Sequence, residues 1–228
     1  MDLSQLEDFI HIGDVTEACP YLEHRVSTLR FANGLLGAAH YRQLLDRGYR
    51  RNGIYMYRPE CAICRECKIL RVPLDTFRMN KEQRRVWRKG QRHFSLHIAP
   101  PVYAVEKADL YARYLRHQHA TQRTQMDPRE YERFLVDTCL GGNTFELQLR
   151  VEGTLVGLGL LDRAEDILSS VYFYFAPEAA PWSPGTYSAL AEIELARSWG
   201  LSHYYLGYHI AGCPSMAYKQ RFRPCEIK

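Results

Sequence analysis

Strand-like patterning dominates the second half of the chain. Residues 145–151, 154–161 and 167–175 are runs rich in Leu, Val, Ile, Tyr and Phe, and Glu152-Gly153 joins the first two as a turn. Such runs, punctuated by turn residues, predict an antiparallel meander. A proline-rich loop, APEAAPWSPG, then changes the period. Thr186 stands where it can cap a helix over residues 186–199, with Leu190, Ile193, Leu195 and Ala196 inward and Gly200 as its stop. Residues 204–206 supply a last core strand, expected parallel to its neighbour because a helical crossover precedes it.

The first half mixes shorter elements. Residues 8–14 read as a short strand or arm and residues 25–31 as a strand. A helix is expected over 35–45, with Gly48 in the C-cap position, and a strand over 53–57 that Pro59 ends. A further strand is expected over 68–72, ended by Pro73. Asn80 and Gln83 have the form of a capping box for a helix over 81–91. Pro100-Pro101 marks a break, and helices follow over 108–119 and from Asp127-Pro128 to Thr138. Meander, crossover helix and parallel strand is the order of the acyltransferase fold shared by the acetyl-CoA-dependent N-acetyltransferases. The expected class is α+β, with an acyl-CoA N-acyltransferase (GNAT)-like C-terminal domain over 99–228 and a smaller α+β N-terminal domain over 1–98.

Composition changes this picture little: 46% apolar and 25% charged residues in a chain of 228 suit a globular protein and argue against disorder. No run approaches 18 apolar residues, and the opening MDLSQLEDF lacks the basic and apolar regions of a secretory leader, so no membrane partner is expected and the cytoplasm is. A net charge of +4 is mild, so a nucleic-acid reading must rest on where the charge clusters. It clusters in the helix over 81–91. Lys81, Arg84, Arg85, Arg88 and Arg92 share one broad face. Val86 and Trp87 alone can anchor that helix, and the interleaved Trp87, His93 and Phe94 offer rings for stacking on bases.

Seven cysteines, an odd number, include a C-x2-C-x2-C run at Cys61, Cys64 and Cys67. In a reducing compartment such spacing points to metal or redox chemistry before disulfides. With Cys19 as fourth ligand, the set suits an iron-sulfur cluster or zinc. Three small buried thiols that fold a tight loop are the other reading.

The GNAT-like half lacks the glycine-rich loop with which acetyltransferases hold the CoA pyrophosphate, so something other than CoA carries the acyl group. Ser183-Pro184-Gly185-Thr186 opens a helix whose free N–H groups favour one phosphate, such as that of a 3'-terminal adenosine, or simply a cap. In the tail, Lys219, Arg221 and Arg223 alternate, which on an extended segment puts three cations on one face, suited to a carboxylate.

The YRPxCxxCxxC run, the QRRxWR helix, LSSVYFYF, GTYSALxEIELAR and YYLGYxIxGCPxMxYKxRFRP together resemble the arginyl-tRNA-protein transferase family and, within it, the bacterial aspartate/glutamate leucyltransferases. The resemblance covers nearly the whole chain in one order. It implies that leucine moves from leucyl-tRNA to the α-amine of a protein beginning with Asp or Glu, marking that protein for degradation in the N-degron pathway, with no cofactor required for transfer. Arginine is the alternative donor, and a nonenzymatic RNA-binding metal module is the alternative of another class. On this reading Lys81, Arg84, Arg85, Arg88, Arg92 and Thr186 hold the aminoacyl-tRNA, and Lys219, Arg221 and Arg223 take the acidic acceptor. Tyr174, Tyr187 or Tyr208 is expected to hydrogen-bond near the ester. No general base stands out, and Glu192 and Glu194 read as packing or surface residues.

Overall fold

A computed structural model describes residues 2–119 and 126–228. Asp2 and Gln5 cap the first helix, α1 (Leu3–Ile10), reciprocally, and strand β1 (His11–Ala18) follows at once, so the arm expected at 8–14 is divided between helix and strand. β2 (Val26–Asn33), β3 (Arg50–Asn52) and β4 (Tyr55–Pro59) complete a four-stranded antiparallel sheet in the order β1-β2-β4-β3. The helix expected over 35–45 is three short pieces, α2 (Gly34–Gly37), a 3-10 turn Ala38–His40 and α3 (Tyr41–Asp46). Gly37 stands at the first break, where a side chain would collide with Leu44, and Gly34, the first residue of α2, is pressed against Ile54 and Cys139.

A second, seven-stranded sheet takes strands from both sides of residue 99. β5 (Lys68–Pro73) and β6 (Ser95–Ala99) join β7 (Thr144–Val151), β8 (Thr154–Ala164), β9 (Ile167–Phe175), β10 (His203–His209) and β11 (Glu226–Ile227) in the order β11-β5-β10-β9-β8-β7-β6. β7, β8 and β9 form the expected meander, and Glu152 and Gly153 turn it with positive φ. β10 lies parallel to β9, as expected, and antiparallel to β5.

Helices α4 (Lys81–His93) and α7 (Pro184–Ser198) pack together over one face, where Leu70, Leu149, Leu168, Leu190, Ile193 and Tyr204 form the core. The Asn80–Gln83 box caps α4 as its sequence predicts. α5 (Val105–His119) covers β8 and β9 elsewhere, and α6 (Pro128–Tyr131) runs into a wider turn, Glu132–Val136, where a single helix to Thr138 was expected. The small sheet and α1 to α3 pack on β10 through Tyr205 and Tyr208. Arg51 and Asp162, both fully enclosed, tie the two sheets together with Tyr41 and Thr144 donating to the same carboxylate.

The feature that positions the site is a fork. β9 and β10 pair only where Ile167, Leu168 and Ser169 meet His203, Tyr204 and Tyr205, and then part. The β10–β5 register shifts between Tyr205 and Gly207, and Gly207 adopts φ +88°, a left-handed conformation open to glycine. This irregularity turns β10 away from β9.

Candidate active site

Two cations stand at the fork. Arg50, on β3 and buried, donates through Nη1 to Ser169 Oγ at 3.1 Å and through Nη2 to the Ser170 carbonyl. Lys219 donates to the Tyr208 carbonyl at 2.7 Å. Both come close to the same point, the place where a Gly207 side chain would begin. Among the described residues neither has a carboxylate within ion-pair distance, and the nearby phenols of Tyr57 and Tyr208 are kept protonated by burial. Burial, and then the neighbouring Arg50 guanidinium, pull the Lys219 ammonium down to about 7, with Cys213 opposing. Uncompensated buried charge is costly and is retained where a ligand supplies the counter-charge.

Of the three cations expected together in the tail, only Lys219 reaches this place. The segment is not extended: Pro214–Arg221 is a 3-10 turn, which ends the strand-like alternation and points the side chains in different directions. Arg221 is exposed and faces Glu82 at 3.7 Å, and Arg223 donates back to the Gln220 carbonyl. These two, with Arg78 and Gln220, line an open basic cavity of about 640 Å³.

Above the fork, α7 begins at Pro184, so Thr186 lies inside the first turn and the cap position belongs to Ser183, in left-handed conformation with no side-chain cap. Gly185 and Thr186 N–H groups are therefore open to an anion. Beside them is a cavity of about 110 Å³ lined by Arg85, Val86, Thr186, Tyr218, Arg221 and Phe222. Helix α4 supplies its wall, and Lys81, Arg84, Arg85, Arg88 and Arg92 are all exposed on it. The rings expected to stack on bases are occupied: Trp87 stacks on Tyr187, His93 stacks on Trp182, and Phe94 is buried against both. Packing two helices at close range consumed the aromatic residues and left the arginines outside.

Of the three tyrosines expected near the ester, Tyr208 lies at the fork beside Arg50 and Lys219, while Tyr174 and Tyr187 lie in the core. Tyr174 hydrogen-bonds Tyr131 at 2.8 Å under α5, Tyr208 donates to the Gly48 carbonyl, and Tyr187 packs beneath Gly90. Of the two glutamates read from sequence as packing or surface residues, Glu192 is fully buried beside the fork, and Glu194 is a partner of Arg197. Ser188 Oγ and Tyr204 Oη donate to the Glu192 carboxyl at 2.7 and 2.6 Å. Arg50, Ser170 and Gly207 were missed as well. The one signal for Arg50 was its place in an RRN run ahead of a turn glycine, where a strand also buries Arg51.

Cys67 has Cys61, Cys19 and Cys64 as neighbours. Burial, together with these neighbours, pushes the Cys67 thiol up to about 12, and all seven cysteines are free. Arg65 pins the loop by donating to the Cys61 and Cys64 carbonyls. Among the described residues no three His, Cys, Asp or Glu side chains are arranged to hold a metal ion. No helix among those residues is long and apolar enough to cross a membrane.

Sheet, fork and crossover helix define a GNAT-like acyltransferase fold. L-PGS from Bacillus licheniformis superposes with a TM-score of 0.54 at 12% identity, covering 87% of this chain and 77% of that one. FemX superposes with a TM-score of 0.53 at 10% identity, covering 84% and 66%. The chain belongs to the arginine-tRNA-protein transferase family: residues 17–85 match the family's N-terminal model and residues 106–228 its C-terminal model. Relatives named aspartate/glutamate leucyltransferase include those of Halorhodospira halophila (38% identical, 92% of this chain and 89% of that protein), Chromobacterium violaceum (37%, 92% and 86%) and Acinetobacter baumannii (34%, 98% and 83%).

Proposed function

We infer that the protein transfers leucine from leucyl-tRNA to the α-amine of proteins that begin with Asp or Glu. The observation that carries this reading is the Arg50–Lys219 pair: two basic side chains that have no carboxylate partner among the described residues, at the fork of an acyltransferase-like sheet. A side-chain carboxylate from an acidic N-terminus supplies the missing charge, with Arg50 as the stronger, charge-assisted donor. The family and the relatives' names support the same chemistry.

On the donor side, the exposed arginines of α4 suit the acceptor stem, and the open α7 N-terminus beside Arg85 and Arg221 suits the last phosphate. The small cavity there includes Val86, Tyr218 and Phe222, and its one carboxylate, Glu82, already faces Arg221. Arg85 and Arg221 in the same lining repel a guanidinium. An amine attacking an activated ester needs orientation and a place for its proton, and draws on no cofactor. Its tRNA and protein substrates are those of the cytoplasm.

The test mixes the protein, leucyl- or arginyl-tRNA, and peptides beginning with Asp, Glu or Ala. Leucine is expected on the Asp and Glu peptides alone. Transfer of neither amino acid would overturn the reading and leave an RNA-binding module. Arg50→Met should raise KM for acidic acceptors at least tenfold while leaving tRNA affinity unchanged.

A further inference from the structure

Glu192 occupies a place that packing alone does not require. α7 buries an almost continuous apolar face, yet at its middle a carboxyl is sealed against the sheet at 1% exposure. Its surroundings are polar but uncharged among the described residues: Ser188 on its own helix, Tyr204 on β10, Ser170 on β9, Gly159 on β8 and Tyr218 on the C-terminal 3-10 turn. An ionised carboxylate here has hydroxyl donors and no cation, so it is held by hydrogen bonds that a proton can travel along. Burial raises its pKa above the ordinary carboxylate range, opposed by the hydrogen bonds from Tyr204, Ser188 and Ser170.

Ser170 connects this carboxyl to the fork. It is the first β9 residue beyond the last β9–β10 pair, it is only half-buried, and its hydroxyl stands against both Glu192 and Tyr204. Its carbonyl, on the same residue, accepts from Arg50. In an N-terminal aspartate only a few bonds separate the side-chain carboxylate from the α-nitrogen. A carboxylate seated on Arg50 therefore brings its own α-amine alongside Ser170.

We propose that Ser170 is the residue that touches the attacking amine and that Glu192 acts through it as the proton acceptor of leucyl transfer. The proposal rests on the transferase reading given above. The neutral α-amine attacks the ester carbonyl and the C–N bond forms. One N–H proton passes to Ser170 Oγ as the Ser170 proton passes to the Glu192 carboxylate. The bond from carbonyl carbon to ribose oxygen then breaks, and the same proton returns along the path to that leaving oxygen, so atoms and charge balance. A carboxyl that gains and gives back a proton within one turnover works best with a pKa nearer neutrality than an exposed glutamate has.

The test is single-turnover transfer from leucyl-tRNA to an Asp peptide at saturating acceptor, across pH 5.5 to 9, with wild type, Glu192→Gln and Ser170→Ala. The wild-type rate is expected to fall toward acid as Glu192 takes up its proton. Glu192→Gln keeps the carboxamide within reach of Ser188 and Tyr204. It is expected to lose about 100-fold or more in kcat, to keep KM for the peptide and the affinity for tRNA, and to retain only the titration of the amine. If Glu192→Gln does not fold, Ser170→Ala decides by the same loss in kcat at unchanged KM. A Glu192→Gln or Ser170→Ala rate within threefold of wild type, or a loss seen in KM alone, overturns the proposal. Wild type that fails to transfer to any acidic peptide overturns the function instead, so the two failures are distinct.

Discussion

Arg50 Nη2 and Lys219 Nζ stand 3.4 and 3.5 Å from the point where a Gly207 side chain would begin, so one glycine on β10 lets two cations share the mouth of the fork. One of them can leave its charge behind. Because Lys219 is held down to about 7, it is largely neutral at pH 8 in the free protein. A bound carboxylate draws its pKa back up, so binding an Asp peptide at pH 8 takes up close to one proton, and at pH 6 close to none. Calorimetry in buffers of different ionisation enthalpy, without tRNA, reads that proton directly. Lys219→Arg should abolish the uptake, and identical enthalpies in all buffers would remove Lys219 from the site.

The same shift has a consequence for stability. A lysine whose pKa is lower folded than unfolded binds fewer protons in the native state between about 7 and the ordinary lysine range, so its contribution makes stability rise with pH across that window. Below it the charged form carries the full cost of burial. Lys219→Met should therefore raise the Tm of the unliganded protein at pH 6 and change it little above pH 10. A Tm gain that is the same at both pH values would contradict the assignment.

Arg51 and Asp162 bridge β3 and β8 with both side chains at zero exposure, and the carboxylate takes Arg51 Nε at 2.6 Å, Nη2 at 3.0 Å and two hydroxyls. Asp162→Ala leaves a guanidinium buried without its partner, which costs on the order of 3–5 kcal/mol. Urea unfolding should show an unfolding free energy lower by that size. Replacing both residues by apolar ones should recover much of it, since the penalty lies in the unpaired charge.

Strands with turn residues between them were legible: β7, β8, β9, the crossover helix and the parallel β10 follow from period and punctuation, and the α4 cap from two side chains. The fork was not, because it depends on a single positive φ at Gly207 and on which β9 residues lose their partner, and neither leaves a mark on periodicity. Arg50 was hidden for a related reason. An arginine in a strand reads as surface, and only the packing of the small sheet onto β10 buries it. The tail misled in the opposite direction, since alternating Lys219, Arg221 and Arg223 suggest one face, and a 3-10 turn separates them.

Gly90 on α4 lies where a Cβ would meet Tyr187 ring carbons at 2.1 to 2.6 Å. Neither the ring, stacked on Trp87 and tilted against Phe94, nor the helix can yield without separating α4 from α7. Gly90→Ala gains helix propensity, about 1 kcal/mol, but the overpacking costs about 1–3 kcal/mol or more. A net fall in Tm is expected, with tRNA affinity reduced because α4 carries the basic face. A Tm at or above wild type would mean that the two helices are not in contact here.

That basic face makes a separable prediction. Among the described residues, Arg84, Arg85 and Arg88 have no carboxylate within ion-pair distance; Arg84 donates to the Met79 carbonyl and Arg88 to the Arg84 carbonyl. Glu82, the acidic residue in their helix, faces Arg221 instead. If these arginines neutralise phosphates, each one removed releases about one counterion fewer, and the slope of log affinity against log salt falls by about one per contact. Arg88→Ala should lower that slope and weaken charged and uncharged tRNA alike, since a backbone contact reads neither the amino acid nor the sequence. Filter binding at several salt concentrations measures both effects. KM for the Asp peptide should stay unchanged, because the acceptor cations at Gly207 lie on other elements, β3 and the C-terminal turn. An unchanged slope in the Arg84, Arg85 and Arg88 variants together would take α4 out of the tRNA interface and leave its charge as a solvated surface.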